Sequence, residues 1–162
     1  GGPHARIVCE IALAQSTNVW NLKCENWMSE QYVRCVFGIK IHSVRHLGRQ
    51  VHRSMTARLW TRVRPPPPAV SVAVPGLLGV FSQTWDFGTL EYNSDQATAC
   101  TAVNNPLYQV STPVADVFWN PPLTAAGVPN EVGYIVAVPG TLTANNFVID
   151  LYNIQQLIMK WT

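Results

Sequence analysis

Two absences divide this chain. From Arg34 to Arg64 there is no Asp or Glu, and from Pro65 to Met159 there is no Lys or Arg. The first segment holds Arg34, Lys40, Arg45, Arg49, Arg53, Arg58, Arg62 and Arg64, with His42, His46 and His52 interleaved. The second holds Asp86, Glu91, Asp95, Asp116, Glu131 and Asp150. A formal net charge of +2 conceals this division. A merely solvated face is usually mixed in sign, so a cationic stretch without neighbouring carboxylates points to a polyanion partner, nucleic acid foremost.

Other absences exclude whole classes. There is no GxSxG, HExxH, P-loop, GxGxxG or EF-hand loop, and the histidines lie far along the chain from most carboxylates, so no catalytic residue is assigned and no enzyme is expected. The best uncharged candidate for a membrane span, Val132–Ile149, is interrupted by Pro139-Gly140 and Asn145-Asn146, which argues against a membrane partner. Cys9, Cys24, Cys35 and Cys100 have no CxxC or Cys/His metal spacing, and no Asn-x-Ser/Thr sequon is present. Free thiols in a reducing compartment are expected. His42 and His46 have no evident third ligand, so no metal site is assigned there. Asp86, Glu91 and Asp95 leave Ca²⁺ at a subunit contact as a weak alternative to turn-capping. Charged residues form only 12% of the chain, about half the usual share, which suggests additional surface buried between subunits.

What remains reads as strands. A chain of 162 residues suits one domain, 1–162, with 1–5 as a remnant of an N-terminal arm. In 55–64, Met55, Ala57, Leu59, Thr61 and Val63 alternate with Thr56, Arg58, Trp60, Arg62 and Arg64, the period of a strand with a core face and an outer face. Ile39 and Ile41 alternate likewise with Lys40 and His42. On this reading the outer faces carry Arg34, Lys40, Arg45, Arg49, Arg53, Arg58, Trp60, Arg62 and Arg64 toward a phosphate backbone, with the indole available for stacking. Further strands are expected at Arg6–Leu13 (Ile7, Cys9, Ile11 and Leu13 inward, Glu10 outward), Thr17–Leu22, Ala69–Val74, Leu107–Val110, Val114–Trp119, Glu131–Val138 and Asn146–Ile154. Helix is expected only as a short turn within Asn26–Tyr32, and Gln155–Trp161 stays open between strand and helix. Pro65–Pro68 reads as a stiff polyproline connection, with an SH3-type ligand as the alternative. Turn-punctuated strands at this spacing predict an all-β, antiparallel β-sandwich of about eight strands.

The segments 38–45 and 56–62, with the late stretches Glu131–Pro139 and Asn146–Asn153, give a chain that resembles the single jelly-roll coat (capsid) proteins of small icosahedral viruses, including the satellite-virus type. The likeness is one of pattern and composition over nearly the whole chain, and the Arg/Lys-rich N-terminal arm common in that family is not seen. The resemblance implies an eight-stranded jelly roll, self-association into a large symmetric shell, packaging of viral RNA in a virion assembled in the host cytoplasm, and no cofactor. Two alternatives stay open. One is a carbohydrate-binding β-sandwich using Trp60, Trp85, Tyr92 or Trp119; the other is a nucleic-acid-binding β-barrel that does not assemble.

Overall fold

The computed structural model describes residues 6–64 and 70–160. The polyproline stretch 65–68 lies outside the described residues. A five-stranded sheet has the order β1-β2-β5-β7-β6, built from β1 (Ile7–Ala12), β2 (Cys35–Ile41), β5 (Ser54–Thr61), β6 (Val72–Ala73) and β7 (Phe81–Gly88). Strands β1 and β2 run parallel, and the other pairings in this sheet are antiparallel. A hairpin of β3 (Arg45–Leu47) and β4 (Gln50–His52) and a second pair, β8 (Gln109–Pro113) with β9 (Asn146–Asp150), complete the β-structure.

Among the described residues three α-helices accompany these strands, α1 (Thr17–Ser29), α2 (Val114–Val117) and α3 (Leu151–Met159), with one 3-10 turn at Pro106–Tyr108. The fold is thus β-rich rather than all-β. Its sheets of five, two and two strands replace the expected pair of four-stranded sheets. The cause is local. Thr17–Leu22 is helix because Ser16 caps α1, its hydroxyl accepting from Val19 N–H at 3.3 Å, and because Trp20, Cys24 and Met28 fall on one helical stripe. A helix between β1 and β2 lets the two strands pair in parallel, as a crossover connection requires. The short turn expected within Asn26–Tyr32 is the last part of this helix. Val114–Trp119 begins as α2. At the other end, Asp150 caps α3 through Tyr152 N–H at 2.9 Å, turning the second half of the expected Asn146–Ile154 strand into helix.

The five-stranded sheet is covered on both faces. Cys35, Phe37, Ile39 and Ile41 of β2 join Met55, Ala57 and Leu59 of β5 and Phe87 of β7 in one core, closed by Val110 and Leu151. The opposite face forms a second core in which Trp20, Cys24 and Met28 of α1 pack on Val36 of β2 and Trp60 of β5. The Trp20 and Trp60 rings meet edge to face, centroids 5.6 Å apart, a geometry that aromatic quadrupoles favour. In β1 the packed side is Val8 and Ala12, while Ile11 and Leu13 are exposed. Glu10 accepts from Trp27 Nε1 at 2.8 Å and pairs with Lys23 at 2.8 Å. Because α1 covers the even-numbered face, Cys9, Ile11 and Leu13 are not inward as expected, while Ile7 packs on the first core as expected.

Helix α1 can lie this close because Gly38 of β2 has no side chain. A Cβ there would sit 2.6 Å from Trp20 Cζ2, inside any tolerable carbon contact. Gly38→Ala should therefore lower stability by about 1–3 kcal/mol through overpacking, read as a reduced midpoint in urea melts. A melt unchanged from the parent would show that α1 does not press on β2 here.

Candidate nucleic-acid interface

The structure separates the nine residues assigned to nucleic acid into two groups. Trp60 is completely buried beneath α1, so its ring has no face to offer a base. Arg62 donates from Nε to Val33 O at 2.8 Å and from Nη2 to Met28 O at 2.6 Å and Glu30 O at 2.9 Å. It thereby satisfies carbonyls at the C-terminus of α1, where cations are favourable. Arg58 donates to Thr84 Oγ1 at 2.9 Å and Asn21 Oδ1 at 3.1 Å. Burial pushes both guanidinium pKa values down. Arg34 is half-buried, bonded to Asp116 Oδ1 at 3.2 Å, 3.6 Å from Glu131 Oε1 and stacked 4.6 Å from the Trp119 ring centroid. These four side chains bind the fold together; Trp60's assignment to base stacking is corrected by its burial, and the three arginines have partners within the protein. The alternation in β5 is real, but its second face meets α1 instead of solvent.

The second group gathers at one end of the sheet. Gly48 and Arg49 connect β3 to β4 in a two-residue turn, Gly48 taking the φ of +60° that such hairpins favour in glycine. Arg49 and His46 are exposed on this hairpin, and Arg45, His52 and Arg53 are half-buried at its base. Arg53 and His52 are held through Thr89, whose Oγ1 accepts from Arg53 N–H at 3.0 Å and lies 3.3 Å from His52 Nδ1. Arg64 is exposed too, but at the far end of β5, over the Phe81 ring. The cationic surface that remains is thus one projecting hairpin, with Arg64 apart from it.

Behind the hairpin lies a cavity of about 420 Å³ lined by Lys40, His42, Ser43, Arg45 and Tyr92 and by residues 13–17 at the start of α1. Lys40 is 5% exposed. Its ammonium donates to the carbonyls of Leu13 and Ile41, and burial lowers its pKa. Arg45 donates to Asp95 Oδ1 at 3.3 Å, Glu91 O at 3.1 Å and Ser94 O, while its Nε is buried without a partner. The His42 and Tyr92 rings stack, centroids 3.8 Å apart. Thr56 Oγ1 donates to Asp86 Oδ1 at 2.8 Å and lies 2.9 Å from His42 Nε2. With the hydroxyl proton committed to a carboxylate, Nε2 must be the donor, which leaves Nδ1 as the bare nitrogen of a neutral ring. Burial, then Lys40 and Arg45, push the His42 pKa down to about 4 against the pull of Asp86. Tyr92 and the start of α1 were not foreseen in this role, since only the fold brings them beside Lys40; the Ser16-Thr17 capping signal was legible.

The other assignments resolve as follows. Asp86 and Asp95 are bonded to Thr56 and Arg45, Glu91 is exposed, and among the described residues no group of three His, Cys, Asp or Glu side chains could hold a metal ion. Of the aromatics considered for sugar, Trp60 and Trp119 are buried, Tyr92 is stacked on His42, and Trp85 lines a cavity of about 250 Å³ with Gln83, Gln109 and Asn146. Cys24, Cys35 and Cys100 are buried free thiols and Cys9 an exposed one. Burial first raises the pKa values of Cys24 and Cys35 to about 12, far from a reactive thiolate. Among the described residues no helix is long and apolar enough to cross a membrane. No protein-family model, curated protein or solved structure matches this chain.

Two outcomes follow from these contacts. Arg62→Gln should lose about 1.5–3 kcal/mol of stability with its charge-assisted bonds, whereas exposed Arg49→Gln should stay within about 0.5 kcal/mol of the parent; paired urea melts compare them. For His42, the folded pKa of about 4 lies below the ordinary 6.5, so between those values the unfolded chain binds more protons. Its contribution is complete above pH 6.5 and shrinks as pH falls toward 4. The stability difference between the parent and His42→Gln should narrow over that window. A His42 ring signal titrating near its ordinary pKa by NMR would refute this.

Proposed function

We propose that this chain is a self-associating structural subunit of the coat-protein kind, its copies meeting through an uncharged arm and its cationic hairpin facing nucleic acid. The observation that carries the reading is the arm itself. Residues 118–145 contain no helix or strand beyond an isolated bridge between Leu123 and Pro129. Across 120–148 the only charged residue is Glu131. Val132 and Ile135 are 90% and 86% exposed, and Leu123, Val128, Val138, Phe147 and Val148 are exposed as well. The stretch Glu131–Val138, read from its sequence as a central strand, is thus an apolar segment outside both cores.

Soluble monomers rarely expose contiguous apolar surface beyond a few hundred Å², so an arm of this composition is suited to burial against another chain. Its first half is fixed to the body. Arg6 donates to Trp119 O and Asn120 Oδ1 and Tyr32 to Gly127 O, while within the arm Tyr134 accepts from Asn120 N–H at 2.8 Å. The occupant proposed is a second copy. Low charge lets identical surfaces approach without repulsion, and symmetric self-association is the common form of protein assembly. Of the resemblance to coat proteins, the surface chemistry supports the reading while the observed sheet order does not bring the jelly-roll topology with it. Neutralisation of packaged nucleic acid falls to Arg49 and Arg53 at the hairpin, with Arg64 as a second site, which is fewer cations than the sequence suggested.

The test is assembly. Negative-stain microscopy and sedimentation of the purified chain should show uniform closed particles or a defined large oligomer. Val132→Asp with Ile135→Asp should release subunits whose melting is unchanged, because neither side chain is in a core. A parent protein that stays monomeric at high concentration, with and without nucleic acid, would overturn the proposal.

A further inference from the structure

We infer that the cavity behind the β3–β4 hairpin is a phosphate-binding pocket, with Lys40 and Arg45 as its principal donors. The inference deepens the nucleic-acid part of the proposed function and rests on it for the source of the phosphate.

Lys40 is buried on the face that elsewhere holds Val36 and Trp60, yet its ammonium meets only two neutral carbonyls. Three protons on nitrogen leave one donor unused. A buried cation without a carboxylate partner is costly, and an anion in the adjoining space would offset that cost. Arg45 supplies the second donor through its buried, unpartnered Nε. Its Asp95 partner is largely exposed at 3.3 Å, a weak counter-charge. Asp86, the other nearby acid, is engaged by Thr56. The residues lining the cavity include Lys40 and Arg45 and no Asp or Glu, and both cations disfavour protonation of His42, against the pull of Asp86. At the cavity wall, residues 16 and 17 begin α1, and the unpaired N–H groups of a helix start add donors for an anion. A volume of about 420 Å³ admits a nucleotide as well as a bare phosphate.

Calorimetric titration of the full chain with inorganic phosphate, a 5′-hydroxyl oligonucleotide and the same oligonucleotide 5′-phosphorylated distinguishes the sources. A strand phosphodiester predicts equal binding of the two oligonucleotides; a terminal phosphate predicts preference for the phosphorylated one, with inorganic phosphate competing. In either case Arg45→Gln and Lys40→Met should weaken binding about tenfold or more, the usual consequence of losing a charged hydrogen bond. Because removing buried Lys40 can also unsettle the fold, Ser43→Asp serves as the second variant. It adds a carboxylate at an exposed lining position with no bond to break and should give the same loss with an unchanged melt. Arg64→Gln, at the other end of β5, should leave pocket affinity unaltered, and the His42 and Tyr92 ring signals should move on titration. Binding undiminished in Ser43→Asp and Arg45→Gln, or no binding by any probe, overturns the pocket. Particle formation reports separately on the assembly proposal, so either can fail alone.

Discussion

The packing of α1 onto the five-stranded sheet is the constraint on which the other features depend. It is possible only where β2 carries Gly38, so that Trp20 can occupy the space above the strand and meet Trp60 edge to face. That contact converts the second face of the sheet from a solvated surface into a core. It costs something: both indole N–H groups are buried without an acceptor, and each such donor forfeits about 1–3 kcal/mol. The buried aromatic area offsets this, since truncating one large core aromatic typically costs about 3–5 kcal/mol.

Once α1 is in place, the cations on that face need partners, and the fold supplies them from far along the chain. Arg62 reaches the carbonyls at the end of α1, Arg58 reaches Asn21 and Thr84, and Arg34 reaches Asp116. Arg45 is joined to Asp95 in the same manner. Arg34 and Arg45 thus meet acids of the second half, so the segregation of basic and acidic residues along the sequence is in part an effect of chain order. What escapes this pairing is confined to the hairpin, to Arg64, and to Lys40 at the cavity wall. An argument for a polyanion partner belongs to those groups alone.

The arm and the hairpin divide the surface between two kinds of chemistry. Around 120–148 the surface is apolar and almost uncharged, suited to contact with another copy; at 45–53 it is cationic and projecting. A structural subunit of the kind proposed needs both, and needs them apart, because charge within a self-contact would repel its symmetry mate.

Much of the strand content was legible from the sequence. The alternation in 55–64 located β5 and its Met55, Ala57, Leu59 core side, and Asn146–Asp150 read correctly as strand. The capping Ser16 with Trp20, Cys24 and Met28 at four-residue spacing also carried α1, although period two in its first residues concealed it. The sequence by itself determined these elements because period and capping are local properties, set by residues a few positions apart. It did not determine which faces would be covered. A period-two pattern states that two sides differ, not that one is wet, and an arginine on the second side is equally compatible with solvent or with a helix end whose carbonyls need donors. Only the tertiary structure decided that Trp60 is core, that Arg62 closes α1, and that Lys40, Arg45, His42 and Tyr92 surround one cavity. The reason is that each of these outcomes depends on partners brought together by folding, and their distances in space are not encoded in their distances along the chain.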